Sequence, residues 1–239
     1  MAADGVPFMV NPYYEADGIT IYHGDCREIL PYLSQPGVCV TDPVWPNSVF
    51  PKVANPAALF AEAVALLTCE RLVVQLGCAS DPRFLASVPA HLPFVRVAWM
   101  RYARPSYRGR ILVGSDVAYI FGTVPGSAPG RRVLSGECVA RNNSTKDWHT
   151  NRGKGTSEGI EYGDLPHPSP RRYEHVAWLV NLYSDGAVLD PFVGAGTTLL
   201  AAKGCGHSAI GIEIEERYCE IAAKRLAQGV LNLAPESGR

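Results

Sequence analysis

Short apolar runs alternate with helical-period segments along this 239-residue chain. Ile19-Thr20-Ile21-Tyr22-His23 alternates in polarity and is rich in β-formers, which predicts a strand ending at Gly24-Asp25-Cys26. Gly37–Thr41 and Arg71–Leu76 are continuous apolar runs of strand length, the pattern of strands buried on both faces. Val188-Leu189 and Ala209–Ile212 are shorter runs of the same kind. Helical spacing marks residues 56–67, with apolar positions at 59, 60, 63, 64, 66 and 67, and residues 215–228, with Tyr218, Ile221, Ala222, Arg225 and Leu226 on one spacing. Helices are also expected over 27–33 and 172–183, with a shorter one over 81–88. Phe94–Met100 and Asp116–Phe121 read as two strands pairing as an antiparallel edge. Residues 1–18 read as an irregular lead-in, and residues 122–166 carry little periodicity. Strands alternating with helices predict an α/β fold: a Rossmann-like, mostly parallel sheet with helices on both faces.

Four acids punctuate this pattern. Asp25, Asp42, Asp190 and Glu213 each stand at the carboxyl end of an expected strand, the rim where such sheets bind ligands. After Asp190 comes Pro191-Phe192-Val193-Gly194-Ala195-Gly196-Thr197-Thr198, and a helix-forming run follows. Gly194 and Gly196 suit a sharp turn that a ligand can approach closely, and Thr197 or Thr198 can cap the helix. A helix N-terminus there favours an anionic group. Glu213 lies 19 positions after Gly194, the spacing at which a second-strand acid holds a ribose diol. The bland alternative is an ordinary strand–turn–helix with solvated acids.

Charge adds a second theme. The formal total is −1, yet residues 99–154 hold ten Lys or Arg against three acids, a local +7 that leaves −8 on the remainder. That asymmetry predicts a basic lobe for a polyanion, or else a solvated loop face. Seven cysteines form no CxxC pair and their number is odd, which argues against a disulfide framework or a zinc site and for a reducing, cytoplasmic setting. No signal-peptide pattern and no apolar run of membrane-spanning length is visible, so no membrane partner is expected.

Asp42-Pro43-Val44-Trp45 follows a buried strand directly, and Pro43 and Pro46 stiffen the turn. An acceptor beside an aromatic plane suits a flat ring bearing an amino group; the alternative is a helix-capping Asp beside a buried Trp.

These segments resemble a known family. Asp42-Pro43-Val44-Trp45 resembles the DPP(Y/F/W) catalytic motif of amino-methyltransferases. Leu189–Thr198 closely resembles the LDPFxGSGTT cofactor motif of the circularly permuted, beta-group DNA methyltransferases, which act on adenine N6 or cytosine N4. Ile21–Cys26 is similar to the family's opening strand and acid, and His167-Pro168-Ser169-Pro170-Arg171-Arg172 resembles its HP-x-QKP stretch. The motifs run in the family's order and cover about the first 50 and the last 70 residues. The chain departs from the pattern at Val44 (usually Pro), Ala195 (usually Ser) and Pro170-Arg171-Arg172 (usually QKP).

The resemblance implies a permuted class I methyltransferase domain of residues 1–121 and 167–239, with 122–166 as an inserted target-recognition region acting with a loop at 101–114. It implies S-adenosylmethionine as cofactor. Asp190, Phe192, Gly194, Gly196 and Thr197 would wrap it, Glu213 would take its ribose, Asp25 its adenine, and His167 and Ser169 would lie near its methionine end. Asp42 and the Pro43 carbonyl would hold the target amine while Trp45 stacks on the extruded base. No metal is required. Double-stranded DNA would be the partner. Arg101, Arg104, Arg108 and Arg110, with Tyr102 and Tyr107 interleaved, suit phosphates and an opened strand. Arg131, Arg132, Arg141, Lys146, Arg152 and Lys154 suit phosphates or guanine edges, and Asn142 and Asn143 adenine edges. An acid at position 42 favours adenine. Cytosine N4 and a catalytically weak DNA-binding relative are the alternatives, and any restriction nuclease would be a separate chain.

Overall fold

The structure, a computed structural model, describes residues 11–46, 53–78, 80–127, 133–140 and 171–227. Among the described residues nine strands form one sheet. They are β1 (Tyr14–Ala16), β2 (Ile19–His23), β3 (Val38–Thr41), β4 (Arg71–Gly77), β5 (Phe94–Arg108), β6 (Ile111–Gly122), β7 (Glu137–Ala140), β8 (Val188–Asp190) and β9 (Ala209–Glu213). Their order is β1-β2-β9-β8-β3-β4-β6-β5-β7. The five strands from β2 to β4 are parallel; β1 runs against β2, and β6 runs against both β4 and β5. Helices α1 (Cys26–Ile29), α2 (Pro56–Ala65), α3 (Tyr173–Tyr183), α4 (Thr197–Gly204) and α5 (Glu216–Ala227) cover the two faces. The expected Rossmann-like α/β sheet with an antiparallel edge is therefore the observed one.

Strand alternation divides the core in two. Val38, Val40, Val73, Ala118, Ile120 and Val188 face α3 and α4, whose Val176, Leu179, Val180, Leu199 and Ala202 pack on them. Cys39, Leu72, Val74, Leu76 and Leu189 face the other way, toward Ile29, Phe60, Ala63 and Val64 of α1 and α2. Every side chain of β3, β8 and the first six positions of β4 is buried, as expected for strands covered on both sides.

Local chemistry moves several expected boundaries. The helix expected over 27–33 is a four-residue α1 followed by a 3₁₀ turn over Leu30–Tyr32. Pro31 has no N–H and ends the α-helical ladder. The expected loop at 101–114 is instead the far half of a long two-stranded ribbon: β5 and β6 pair through Tyr107↔Leu112 and Arg108↔Ile111, closing at Gly109-Arg110, with an irregular register between Arg101 and Ser106. The lead-in contributes the edge strand β1, and residues 137–140 contribute β7, which pairs parallel with β5 from Trp99 to Tyr102.

Candidate functional site

The four acids gather on one rim of the sheet. Thr41 pairs with Val74, so Asp42 stands level with Gln75 on the next strand. Asp116 opens the same rim on β6, paired with Gly77. Parity then fixes the face. Val188 and Asp190, Val40 and Asp42, Val73 and Gln75, and Ala118 and Asp116 each lie two positions apart, so their side chains share the face covered by α3 and α4. Asp190, Asp42, Gln75 and Asp116 form a staggered polar row across β8, β3, β4 and β6, above the apolar core.

Asp190 is buried and accepts from the Thr41 hydroxyl at 2.8 Å, the Phe192 N–H at 3.0 Å and the Thr198 hydroxyl. Burial pushes its carboxyl up to about 6 in spite of these donors. The turn that follows places Gly194 and Gly196 at positive φ, 51° and 81°. At Gly196 only glycine fits, because a Cβ there would lie 2.8 Å from the Ala222 Cβ on α5. Gly196 itself precedes α4, and no side chain caps that helix. The expectation that Thr197 or Thr198 caps it fails: both sit inside the first turn, Thr197 near Arg225 and Thr198 on Asp190. Arg225 of α5 also donates to the Ala195 carbonyl and ties the turn down. Glu213 completes this end. Its carboxylate accepts from the N–H of Gly194 and of Glu215, both at 2.8 Å, and burial raises its pKa.

Asp25 lies beside Glu213, since the Gly24 N–H donates to the Glu213 carbonyl at 2.9 Å. It caps α1, and Arg27 holds its carboxyl below the ordinary carboxylate range.

At the other end of the row, Trp45 Nε1 donates to Asp42 Oδ1 at 3.0 Å. The indole lies against Gly77, where an added Cβ would come within 2.9 Å of the ring. One residue that the sequence assigns to no site organises this end. Arg171 donates from Nε and Nη2 to both oxygens of Asp42, at 2.8 and 2.9 Å, and from Nη1 to Asp116 at 2.6 Å. Its guanidinium sits 4.3 Å from the Trp45 ring centroid. The side chain is only 8% exposed, so this is a desolvated ion-pair cluster. Burial raises the Asp42 pKa; Arg171 and Trp45 pull against it. The signal for Arg171 is its place in the Pro170-Arg171-Arg172 variation, but its partners lie 129 and 55 positions away.

A single pocket joins the two ends. Asp42, Gln75 and Arg171 line one side; Asp190, Phe192, Gly194, Ala195, Thr197 and Thr198 line the other. Pro43 is buried behind Asp42.

The basic positions separate. Arg104 and Arg110 are exposed on the β5–β6 ribbon with Tyr107, Ile111 and Leu112. Arg108 belongs to the same ribbon. Arg101, at the ribbon's base, pairs with Glu137 of β7 at 3.2 Å. Tyr102 is not free to stack on an opened strand: Arg172 covers its ring at 4.3 Å and its hydroxyl bonds Asp116. Arg131, Arg132, Arg141, Asn142, Asn143, Lys146, Arg152, Lys154, His167 and Ser169 lie outside the described residues. Among the described residues no helix is long and apolar enough to cross a membrane, and no group of three His, Cys, Asp or Glu could hold a metal ion.

Comparison with known proteins follows this geometry. The profile of the DNA methylase family N6_N4_Mtase matches residues 31–224. The Type II methyltransferase M.ScaI of Streptomyces caespitosus is 56% identical over 43 residues, 18% of this chain and 14% of that protein. The chain thus matches only a small part of that relative's length. Among solved structures, the M1.HpyAVI–SAM complex superposes with a TM-score of 0.62 at 21% identity, covering 87% of this chain and 98% of that one. The cytosine-N4-specific PvuII DNA methyltransferase superposes with a TM-score of 0.66 at 14% identity, covering 93% and 90%. At these identities the likeness is one of fold.

Proposed function

The chain belongs to the DNA methylase family whose profile spans residues 31–224, and on that premise we propose that it moves a methyl group from S-adenosylmethionine to adenine N6 in duplex DNA. The observation that carries this reading is the shared pocket, where Asp42 and the glycine turn, more than 150 positions apart in sequence, face each other.

The turn's own features fit such a cofactor. The uncapped N-terminus of α4 offers N–H donors to a carboxylate. Each Glu213 oxygen accepts one backbone N–H and keeps a lone pair for a hydroxyl donor. Phe192 adds a half-buried ring beside them. When bound, S-adenosylmethionine supplies an electrophilic methyl group on sulfur.

The protein's share is positioning. An exocyclic amine is a weak nucleophile because its lone pair is delocalised into the ring. Asp42 and the Pro43 carbonyl, as acceptors for its two hydrogens, draw it toward tetrahedral geometry. Trp45 offers the plane on which the ring stacks, and a base must leave the duplex to reach it. A base in that position takes over the contacts Arg171 now makes with Asp42 and Trp45, and Asp116 keeps a hold on the guanidinium. An acid at position 42, where cytosine-directed enzymes of the resembling group tend to have serine, favours adenine. The ribbon that carries Arg104, Arg108 and Arg110 extends beyond the rim at Asp116, and these positions suit the phosphate backbone.

The test incubates the purified protein with labelled S-adenosylmethionine and DNA from a non-methylating host, then digests the product to nucleosides. N6-methyladenine is expected, and Asp42→Ala is expected to lose on the order of 100-fold in rate. N4-methylcytosine would move the reading to the other base; no label in DNA would end it.

A further inference from the structure

Within the polar row, one member has no partner among the described residues. Asp190, Asp42 and Asp116 are each bonded to two or more donors. Gln75, between Asp42 and Asp116, is fully buried at 0% exposure, and neither its Nε2 nor its Oε1 makes a hydrogen bond among the described residues. It lines the pocket with Asp42 and Arg171. Burying a primary amide with both ends unmet costs folding free energy, and leucine or methionine would fill the space without that cost. Arg171 reaches from Asp42 on β3 to Asp116 on β6, and so spans β4 at Gln75, yet spends its nitrogens on the carboxylates.

Resting on the function proposed above, we propose that Gln75 reads the edge of the extruded base, its amide N–H donating to the ring nitrogen beside the reacting amine. The geometry suits this role. Gln75 and Asp42 are level on adjacent strands, about 4.8 Å apart in the sheet direction. They offer a donor and an acceptor side by side. Adenine presents the complement, the N6 hydrogens beside N1, and cytosine presents N4 beside N3. Guanine and thymine place a ring N–H and a carbonyl there and match neither group. Asp42 takes an amine hydrogen, while Gln75 fixes the ring's rotation in its plane and so aims the nitrogen lone pair.

The test pairs Gln75→Met and Gln75→Leu, which keep volume and remove the amide, with target DNA carrying adenine or 1-deazaadenine, which lacks the ring acceptor. Both variants are expected to melt no lower than the parent and to bind S-adenosylmethionine within about twofold of it, measured by calorimetry. Their kcat/KM on adenine DNA is expected to fall about tenfold or more. The parent is expected to show a similar loss on 1-deazaadenine, and the variants no further loss. Unchanged activity in both variants overturns the inference. So does a cofactor affinity that drops in step with activity, which would assign the amide to the cofactor. So does a 1-deazaadenine penalty that persists undiminished in the variants. A parent that methylates no DNA at all is a different failure: it removes the underlying function, and this inference with it.

Discussion

Arg171 holds two carboxylates that arrive from positions 42 and 116 of the chain, and its side chain is almost fully shielded from water. Removing one partner of such a cluster leaves the others buried and uncompensated. Arg171→Met is therefore expected to cost about 3–5 kcal/mol of stability near neutral pH. The pH dependence has a definite sign. Burial already lifts Asp42 above its ordinary 3.8, so protonating it stabilises the folded protein. That contribution is full below the unfolded value and is lost as pH rises through the folded one. Without Arg171 the folded value climbs further. The gap between parent and variant should thus widen as pH rises past the parent's folded Asp42 value, in urea titrations run from acid to neutral pH. A gap that is flat or narrows with pH would contradict the ion-pair account. None of this could be read from sequence, because the row of Asp190, Asp42, Gln75 and Asp116 exists only once four strands lie side by side. Asp42 and Asp190 were legible, since each ends an apolar run; Asp116 was not, since it opens one.

The β5–β6 ribbon outruns its neighbours: β4 pairs with β6 only as far as Asp116, and β7 with β5 only as far as Tyr102. Beyond those points exposed Tyr107, Ile111 and Leu112 share the tip with Arg104 and Arg110. Replacing residues 103–112 with a tight turn is expected to leave cofactor binding intact. It should weaken DNA binding and flatten its salt dependence by about 0.9 in log–log slope for each phosphate that is no longer neutralised. Filter binding across a salt series measures this; an unchanged slope would assign the ribbon elsewhere. The ribbon also shows where periodicity stops informing. Phe94–Met100 and Asp116–Phe121 are short, mostly apolar runs whose residues enter the core on both faces of the sheet, so they were legible as strands. Residues 101–114 have no core to face, and Pro105, Gly109 and Gly114 interrupt them, so they read as loop. Strands β1 and β7, of three and four residues on sheet edges, are too short to carry a pattern. The expected threonine cap of α4 failed for a related reason: Gly196 starts α4 because α5 packs against it, and Thr198 serves Asp190 instead.

Taken whole, the chain carries +7 in residues 99–154 and −8 elsewhere, and its pocket lies at the carboxyl rim of five parallel strands. A ligand that binds there only in the folded state adds to stability by mass action. S-adenosylmethionine at roughly 100 times its Kd should add about 2.7 kcal/mol. For a chain of this size that is a rise in Tm of roughly 5–10 °C by scanning calorimetry. No rise at saturating cofactor would place the turn's function outside methyl transfer. The sheet order carries one more consequence. Strand β2, Ile19–His23, has as its parallel neighbour β9, Ala209–Glu213, which lies near the other end of the sequence. Its remaining neighbour, β1, makes only a three-pair hairpin with it, too little to stand alone in water. During synthesis on the ribosome, Ile19 and Ile21 therefore leave the exit tunnel long before Ala209–Glu213 and lack their parallel partner until it emerges. Strand β2 is made long before the parallel partner that houses it, and a nascent chain stalled before that point would expose those two isoleucines to chaperones.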